Sequence, residues 1–188
     1  MLIENTKVYG LEESVRASGY PMGNDDYSGS RAVRLGSTRP GSGHDCYLKG
    51  IIVQADVTAP QYFWLQWQRY HFHDIISSES KMHRILNMNI AKQCNKYVDR
   101  LIIEYLEKLI NDYTCKEMPG DIKKILFQKI VANCPMGLML KARISTNYLQ
   151  LKSNYHQRRN HKLEEWQIYC NWIERLRGFR EFVIGEQS

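Results

Sequence analysis

The chain has 188 residues, 43% hydrophobic and 24% charged; a chain of this size and composition buries a core as one domain, which excludes a disordered protein or a mini-protein held by staples. Lys and Arg outnumber Asp and Glu by 26 to 20, a net charge of +6 that suits an anionic partner such as a nucleotide, a nucleic acid or a flavin phosphate, and that also occurs in many proteins with no such partner. The cysteines at 46, 94, 115, 134 and 170 are never in CxxC spacing, and no apolar run is long enough for a signal peptide or a membrane span, so the expectation is a cytoplasmic protein without disulfide framework, zinc site or membrane association.

In chain order, a strand is expected near Leu2 to Tyr9. Residues 19–45 then hold Gly19, Pro21, Gly23, Gly29, Gly36, Pro40, Gly41 and Gly43 among many Ser, Asp and Arg, a density of breakers that predicts a long loop, ordered or mobile, of a length more often functional or disordered than merely connecting. Ile51, Val53, Ala55 and Val57 alternate with Ile52, Gln54 and Asp56, the period of two that marks a strand with one covered face. Thr58-Ala59-Pro60 is read as the end of this strand, with Thr58 as N-cap of a central helix carrying Tyr62, Phe63, Leu65, Trp67 and Tyr70.

Leu101, Ile102, Tyr105, Leu106, Leu109 and Ile110 predict an amphipathic helix ended by the segment up to Pro119-Gly120, and Ile122, Ile125, Leu126 and Ile130 predict another. No Pro or Gly interrupts Leu138 to Tyr155, which reads as helical, and Trp166, Tyr169, Cys170, Ile173 and Leu176 share a further helical face. Helix therefore outweighs strand within a single domain spanning 1–188, and no internal repeat is visible.

Two polar constellations could carry chemistry. The first is His44 followed by Gln66, Arg69, His71, His73, Asp74, Ser77, Ser78, Glu79, Ser80, Lys81, His83 and Arg84. Its histidines lack the i, i+4 pair and the cysteine partners of zinc sites, so no metal is expected. Its serines beside cations resemble an anion cradle, while a solvated polar face explains the same residues. Neither GxGxxG nor GxxxxGK[ST] is present, which excludes a Rossmann fingerprint and a P-loop. The second is Arg158-Arg159-Asn160-His161-Lys162, where cations at a helix C-terminus are favourable with or without a ligand. Nucleic-acid binding is a possible use of these cations but is not favoured, because the neighbouring aromatics stand at helical spacing and read as core.

Taken together, Gly43-His44, then VTAP (57–60), then QWQR (66–69), then PMGL (135–138) with Asn147, Leu151, Arg158 and Trp166 resemble the flavin-dependent thymidylate synthase family in order and spacing. The resemblance touches residues 43–81 and 131–172, and residues 85–130 match only in helical character. It implies an α+β, helix-rich fold of the thymidylate synthase-complementing-protein type with a small antiparallel sheet. It also implies FAD, with methylenetetrahydrofolate and NADPH as co-substrates, a homotetramer with shared sites, and reductive methylation of dUMP to dTMP. By position, it implies that His44, Arg69, His71 and Asn147 contact the cofactor, and that Gln66, Arg69, Ser80, Lys81 and Arg158 contact the pyrimidine nucleotide. No catalytic nucleophile is implied.

The family motif RHRxxSxNExSxRY survives only at its first position, Arg69. A gapless reading sets Tyr70 where His stands, His71 for the second Arg, Asp74 for the first Ser, Ile76 for Asn, Ser77 for Glu, Glu79 for the second Ser and Lys81 for the third Arg. One inserted residue instead aligns Ser80 with the second Ser and His83 with the terminal Tyr, and Val131 falls where the family has a cation. Three functions therefore stand side by side: the parent synthase reaction, a diverged flavoprotein acting on another pyrimidine nucleotide, and a non-catalytic nucleotide- or nucleic-acid-binding homologue.

Overall fold

The computed structural model describes residues 1–115 and 117–185. Its centre is an antiparallel sheet of four strands in the order β1-β2-β4-β3, with β1 at Leu2–Tyr9, β2 at Ile52–Pro60, β3 at Asp74–Ser78 and β4 at Met139–Asn147. Helices α1 (Leu11–Ala17), α2 (Gly29–Gly36), α3 (Gln61–Trp67), α6 (Arg100–Cys115), α7 (Gly120–Ala132), α8 (Tyr148–Arg158) and α9 (Glu164–Glu174) are joined by two single-turn helices, α4 (Lys81–Arg84) and α5 (Ile90–Gln93). No helix among the described residues is long and apolar enough to cross a membrane. The expected helix-rich α+β architecture in one domain is what the chain adopts.

β2 is the strand whose alternation was plainest, and Val53, Ala55, Val57 and Ala59 all turn into the core. It pairs with β1 on one side, and on the other with β4, from Ile52↔Asn147 to Pro60↔Met139. Thr58 is therefore not an N-cap: it lies inside β2, paired with Leu2 and Lys141. α3 starts at Gln61 without a side-chain cap. Backbone carbonyls of the 135–138 turn do that work instead, with Gln61 N–H donating to Leu138 O and Tyr62 N–H to Met136 O, so two orphan donors of the first turn are satisfied from across the sheet.

The uninterrupted helix expected from Leu138 to Tyr155 divides into β4 and α8. Ala142, Ile144 and Thr146 are buried while Lys141, Arg143 and Ser145 are half-buried, a period of two that the absence of Pro and Gly masked. Asn147 makes the change of direction, its side chain accepting Gln150 N–H at 2.9 Å as the N-cap of α8. Segment 19–45 also differs from a plain loop: it contains a 3₁₀ turn at Tyr20–Met22 and α2, which Ser28 caps by accepting Arg31 N–H. α2 lies against the last helical turn, Arg180–Ile184, so closely that a Cβ on Gly36 would stand 2.3 Å from Phe182 O.

The main core is aromatic. Phe63 and Trp67 of α3 meet Trp166 and Tyr169 of α9, with Phe63 and Trp166 centroids 4.8 Å apart and Trp67 Nε1 donating to Tyr169 OH. A second cluster, Ile85, Met88, Ile90, Leu106, Leu109, Ile130 and Leu138, gathers the stretch 85–130 around the end of the 135–138 turn. Burial of these side chains at about 25 cal/mol per Å² is the main favourable term for both clusters.

Candidate functional site

Three helix ends converge on Arg158. It is the last residue of α8, Trp166 lies in the first turn of α9, and Tyr70 follows the end of α3. Arg158 Nε donates to the Tyr70 hydroxyl at 2.7 Å, and the guanidinium carbon lies 4.8 Å from the Trp166 ring centre and 5.7 Å from that of Tyr70. The Tyr70 hydroxyl donates in turn to Gln157 Oε1 at 3.0 Å, and Trp166 Nε1 donates to Gln66 Oε1 at 2.8 Å. Gln66 and Arg158, which the family resemblance implies share one nucleotide, are thus joined through Trp166. The terminal nitrogens of Arg158 have no partner among the described residues, which leaves a half-buried planar fork for a carboxylate, a phosphate or another paired acceptor edge. Burial and the Arg158 charge together hold the His161 ring below the usual imidazole range.

Arg69 and His71 flank Tyr70 and are exposed. The Arg69 side chain has no partner among the described residues, and the His71 ring rests edge-on against Phe72 at 4.7 Å. His73 lies apart from both, buried and stacked on Trp67 at 4.0 Å with Nδ1 3.0 Å from Trp67 O. No group of three or more ligating side chains able to hold a metal ion occurs among the described residues.

Ser80 and Lys81 form a second place. Ser80 is the N-cap residue of α4 but makes no capping bond, and Lys81 Nζ donates to Gln61 Oε1 at 3.0 Å. Gln61 Nε2 donates to Pro135 O, so Lys81 is tied to the start of α3 and to the 135–138 turn. Beside it opens a cavity of about 370 Å³ lined by Trp64, Leu65, Ile75, Leu140, Gln68 and Glu79. Glu79 is engaged by Arg84 and accepts Lys141 N–H.

His44 forms the third place. It is exposed at the mouth of a cavity of about 560 Å³ shared with Arg31, Arg34, Cys46, Tyr47 and Met22. Asn147, assigned with His44 to the cofactor, is buried, its oxygen accepts the capping bond of α8, and its amide nitrogen makes no hydrogen bond among the described residues. Within one chain, then, Gln66 and Arg158 meet through Trp166, with Arg69 and His71 exposed on either side of Tyr70, while Lys81 is bonded to Gln61 and His44 lies against the cavity beside α2.

Sequence reasoning missed two contributors. Tyr70 departs from the resembled motif, yet its hydroxyl bonds Gln157 and Arg158 of α8, a contact invisible in spacing. Lys152 is the other: its i−4 and i+3 neighbours on α8, Tyr148 and Tyr155, are buried and put it on the covered face, where it is fully buried and paired with Asp45.

No protein-family profile matches the sequence, and no curated protein sequence is similar to it. Solved structures are similar to it in fold. A flavin-dependent thymidylate synthase ThyX from Helicobacter pylori, complexed with FAD and dUMP, superposes with a TM-score of 0.72 at 15% identity, covering 97% of each chain. A second structure of thymidylate synthase X from the same organism, also with FAD and dUMP, gives 0.71 at 16% identity, again over 97% of both chains. The chain has the fold of the flavin-dependent thymidylate synthases over the 97% of its length that superposes. At this identity, the shared property is the path of the backbone, and function has to be argued from the site.

Proposed function

We propose that this protein is a flavin-dependent thymidylate synthase-like enzyme, a cytoplasmic homotetramer that methylates dUMP to dTMP with FAD, methylenetetrahydrofolate and NADPH. The observation that carries the reading is the Arg158 fork, half-buried against Trp166 with both terminal nitrogens unpartnered among the described residues, on a fold shared with two ThyX structures that hold FAD and dUMP. Bound FAD supplies the reducing equivalents for the transferred one-carbon unit. Arg158 grips a paired acceptor edge of the nucleotide, and Gln66 offers it an amide N–H₂, its oxygen being taken by Trp166. Arg69 and Lys81 supply charge for the phosphate, with Ser80 a hydroxyl beside Lys81.

His44, Arg69 and His71 fit a cofactor contact in being exposed, Arg69 with several donors and each histidine with a ring N–H, whereas Asn147 is buried and already engaged in capping α8. Because these groups occupy separate places on one chain, the proposed site is assembled between copies. The second reading, a flavoprotein acting on another pyrimidine nucleotide, is favoured by Val131, a half-buried apolar residue on α7 where a substrate cation is expected.

The test is the absorbance spectrum of the purified protein, with mass analysis of any bound small molecule, followed by tritium release from labelled dUMP. Flavin bands with tritium release support the synthase reaction. Flavin without release points to the other nucleotide, and protein that neither copurifies with nor takes up FAD overturns both.

A further inference from the structure

We propose that Tyr70 is a positioning residue that aims the Arg158 fork, so that the site recognises its ligand end-on through the two terminal nitrogens. This rests on the nucleotide reading of Arg158. A free guanidinium presents several edges with five N–H donors, and can grip paired acceptors side-on through Nε and one terminal nitrogen, or end-on through both terminal nitrogens. Here the side-on edge is closed, because Nε donates to the Tyr70 hydroxyl at 2.7 Å.

The hydroxyl's orientation is itself set, since its proton goes to Gln157 Oε1 at 3.0 Å, which leaves a lone pair for Arg158. Gln157 and Arg158 are consecutive residues of α8, so a single tyrosine oxygen locks the end of that helix to the turn after α3. The guanidinium plane is held from a second side by the Trp166 ring at 4.8 Å, and that ring is fastened by its bond to Gln66. The arginine is thereby fixed before any ligand arrives, and the ligand class it selects is one with two acceptors on a single planar or tetrahedral edge: a carboxylate, a phosphate or a pyrimidine imide that has lost its N3 proton. The position is one where the resembled motif carries His, so this device belongs to the chain's own residues.

The test uses the full chain labelled with ¹⁵N-arginine, and the Arg158 Nε–H resonance is identified as the one lost in Arg158→Lys. The expected result is a slowly exchanging Nε–H whose exchange is about tenfold faster in Tyr70→Phe, together with about tenfold weaker dUMP binding. In an Arg158→Lys background, Tyr70→Phe should change dUMP affinity no further, a coupling that a merely structural tyrosine would not show. Unchanged Nε–H exchange in a folded Tyr70→Phe overturns the proposal, as does accelerated exchange with unaltered dUMP affinity. Should Tyr70→Phe not fold, Gln157→Leu, which removes the hydroxyl's acceptor, is expected to accelerate the same exchange, and its failure to do so counts equally against the idea. If the wild-type protein does not bind dUMP at all, the nucleotide reading falls, and the exchange measurement alone then decides whether Tyr70 holds Arg158.

Discussion

Lys152 Nζ lies 2.5 Å from Asp45 Oδ2, with the two side chains only 1% and 2% exposed. The same ammonium donates to Thr38 O at 2.5 Å. One cation from α8 therefore ties both ends of the segment 38–45, which carries Gly41, Gly43 and His44. The positive φ of Gly41 and Gly43, 84° and 80°, lets the segment turn tightly between these two anchors.

Removing one partner of this pair strands a charge in the core, so Lys152→Met is expected to cost about 3–5 kcal/mol of stability. Lys152→Met combined with Asp45→Leu should recover most of that, because both charges then leave together. Urea unfolding of the single and double variants measures the difference, and equal losses in the two would contradict a buried, dry pair. Proteolysis within 38–44 should be faster in the single variant, since its anchor to α8 is gone.

Stability should fall on mild acidification because of His73. Burial lowers its pKa from 6.5 to about 4, outweighing the hydrogen bond to Trp67 O and the nearby Asn154 and Asp74, which act in the other direction. In the unfolded chain the ring titrates near 6.5, so between roughly pH 6.5 and 4 the unfolded state binds the additional proton. The contribution is complete above the unfolded value and is lost as pH drops toward the folded one, on the order of 3 kcal/mol in total. His73→Gln should be less stable at pH 7.5 yet show a flatter decline between pH 6.5 and 4.5 in thermal melts. A parallel decline in both proteins would remove His73 as the cause.

Arg158 and Arg159 should behave differently although they are adjacent. Arg159 is exposed and lies 4.8 Å over the Tyr155 ring, an arrangement worth about 0.5–1 kcal/mol to stability. Arg158→Ala should weaken dUMP binding by roughly ten- to a hundred-fold, the loss of one charge-assisted interaction of about 1.5–3 kcal/mol. Arg158→Lys should recover part of this, lacking the planar fork, and Arg159→Ala should leave affinity unchanged. Titration of dUMP, dTMP and dCMP into the three variants settles it, and matching affinities for the two alanine variants would end the nucleotide role of Arg158.

Assembly should depend on a groove of about 550 Å³ where Leu101, Ile102 and Tyr105 of α6 meet Pro135 and Met136. Leu101 is 73% exposed and Tyr105 50% exposed, an apolar surface that the proposed homotetramer would cover. Light scattering at micromolar concentration is expected to give four chains for the wild type and fewer for Leu101→Glu. A wild-type monomer would count against sites shared between copies.

The sequence by itself determined the elements whose signal is local. The alternation in β2, the aromatic run of α3 and the stripe of α9 follow from a period of two or of about 3.6 meeting the main core. Leu106, Leu109 and Ile130 of α6 and α7 follow the same helical period into the second cluster, while Leu101, Ile102, Tyr105, Ile122 and Ile125 of the expected stripes stay exposed. The resemblance in spacing also set Gln66 beside Arg158, and the structure has both against Trp166. Only the tertiary structure decided the rest. β3 and β4 exist because β4 finds β2 and β3, pairings whose energy comes from residues far away in sequence. The N-terminus of α3 is satisfied by carbonyls of the 135–138 turn rather than by Thr58, for the same reason. The Tyr70–Arg158 and Lys152–Asp45 contacts span 88 and 107 positions. A hydroxyl or a carboxylate meets its partner there through the packing of whole helices, which no local pattern of residues records.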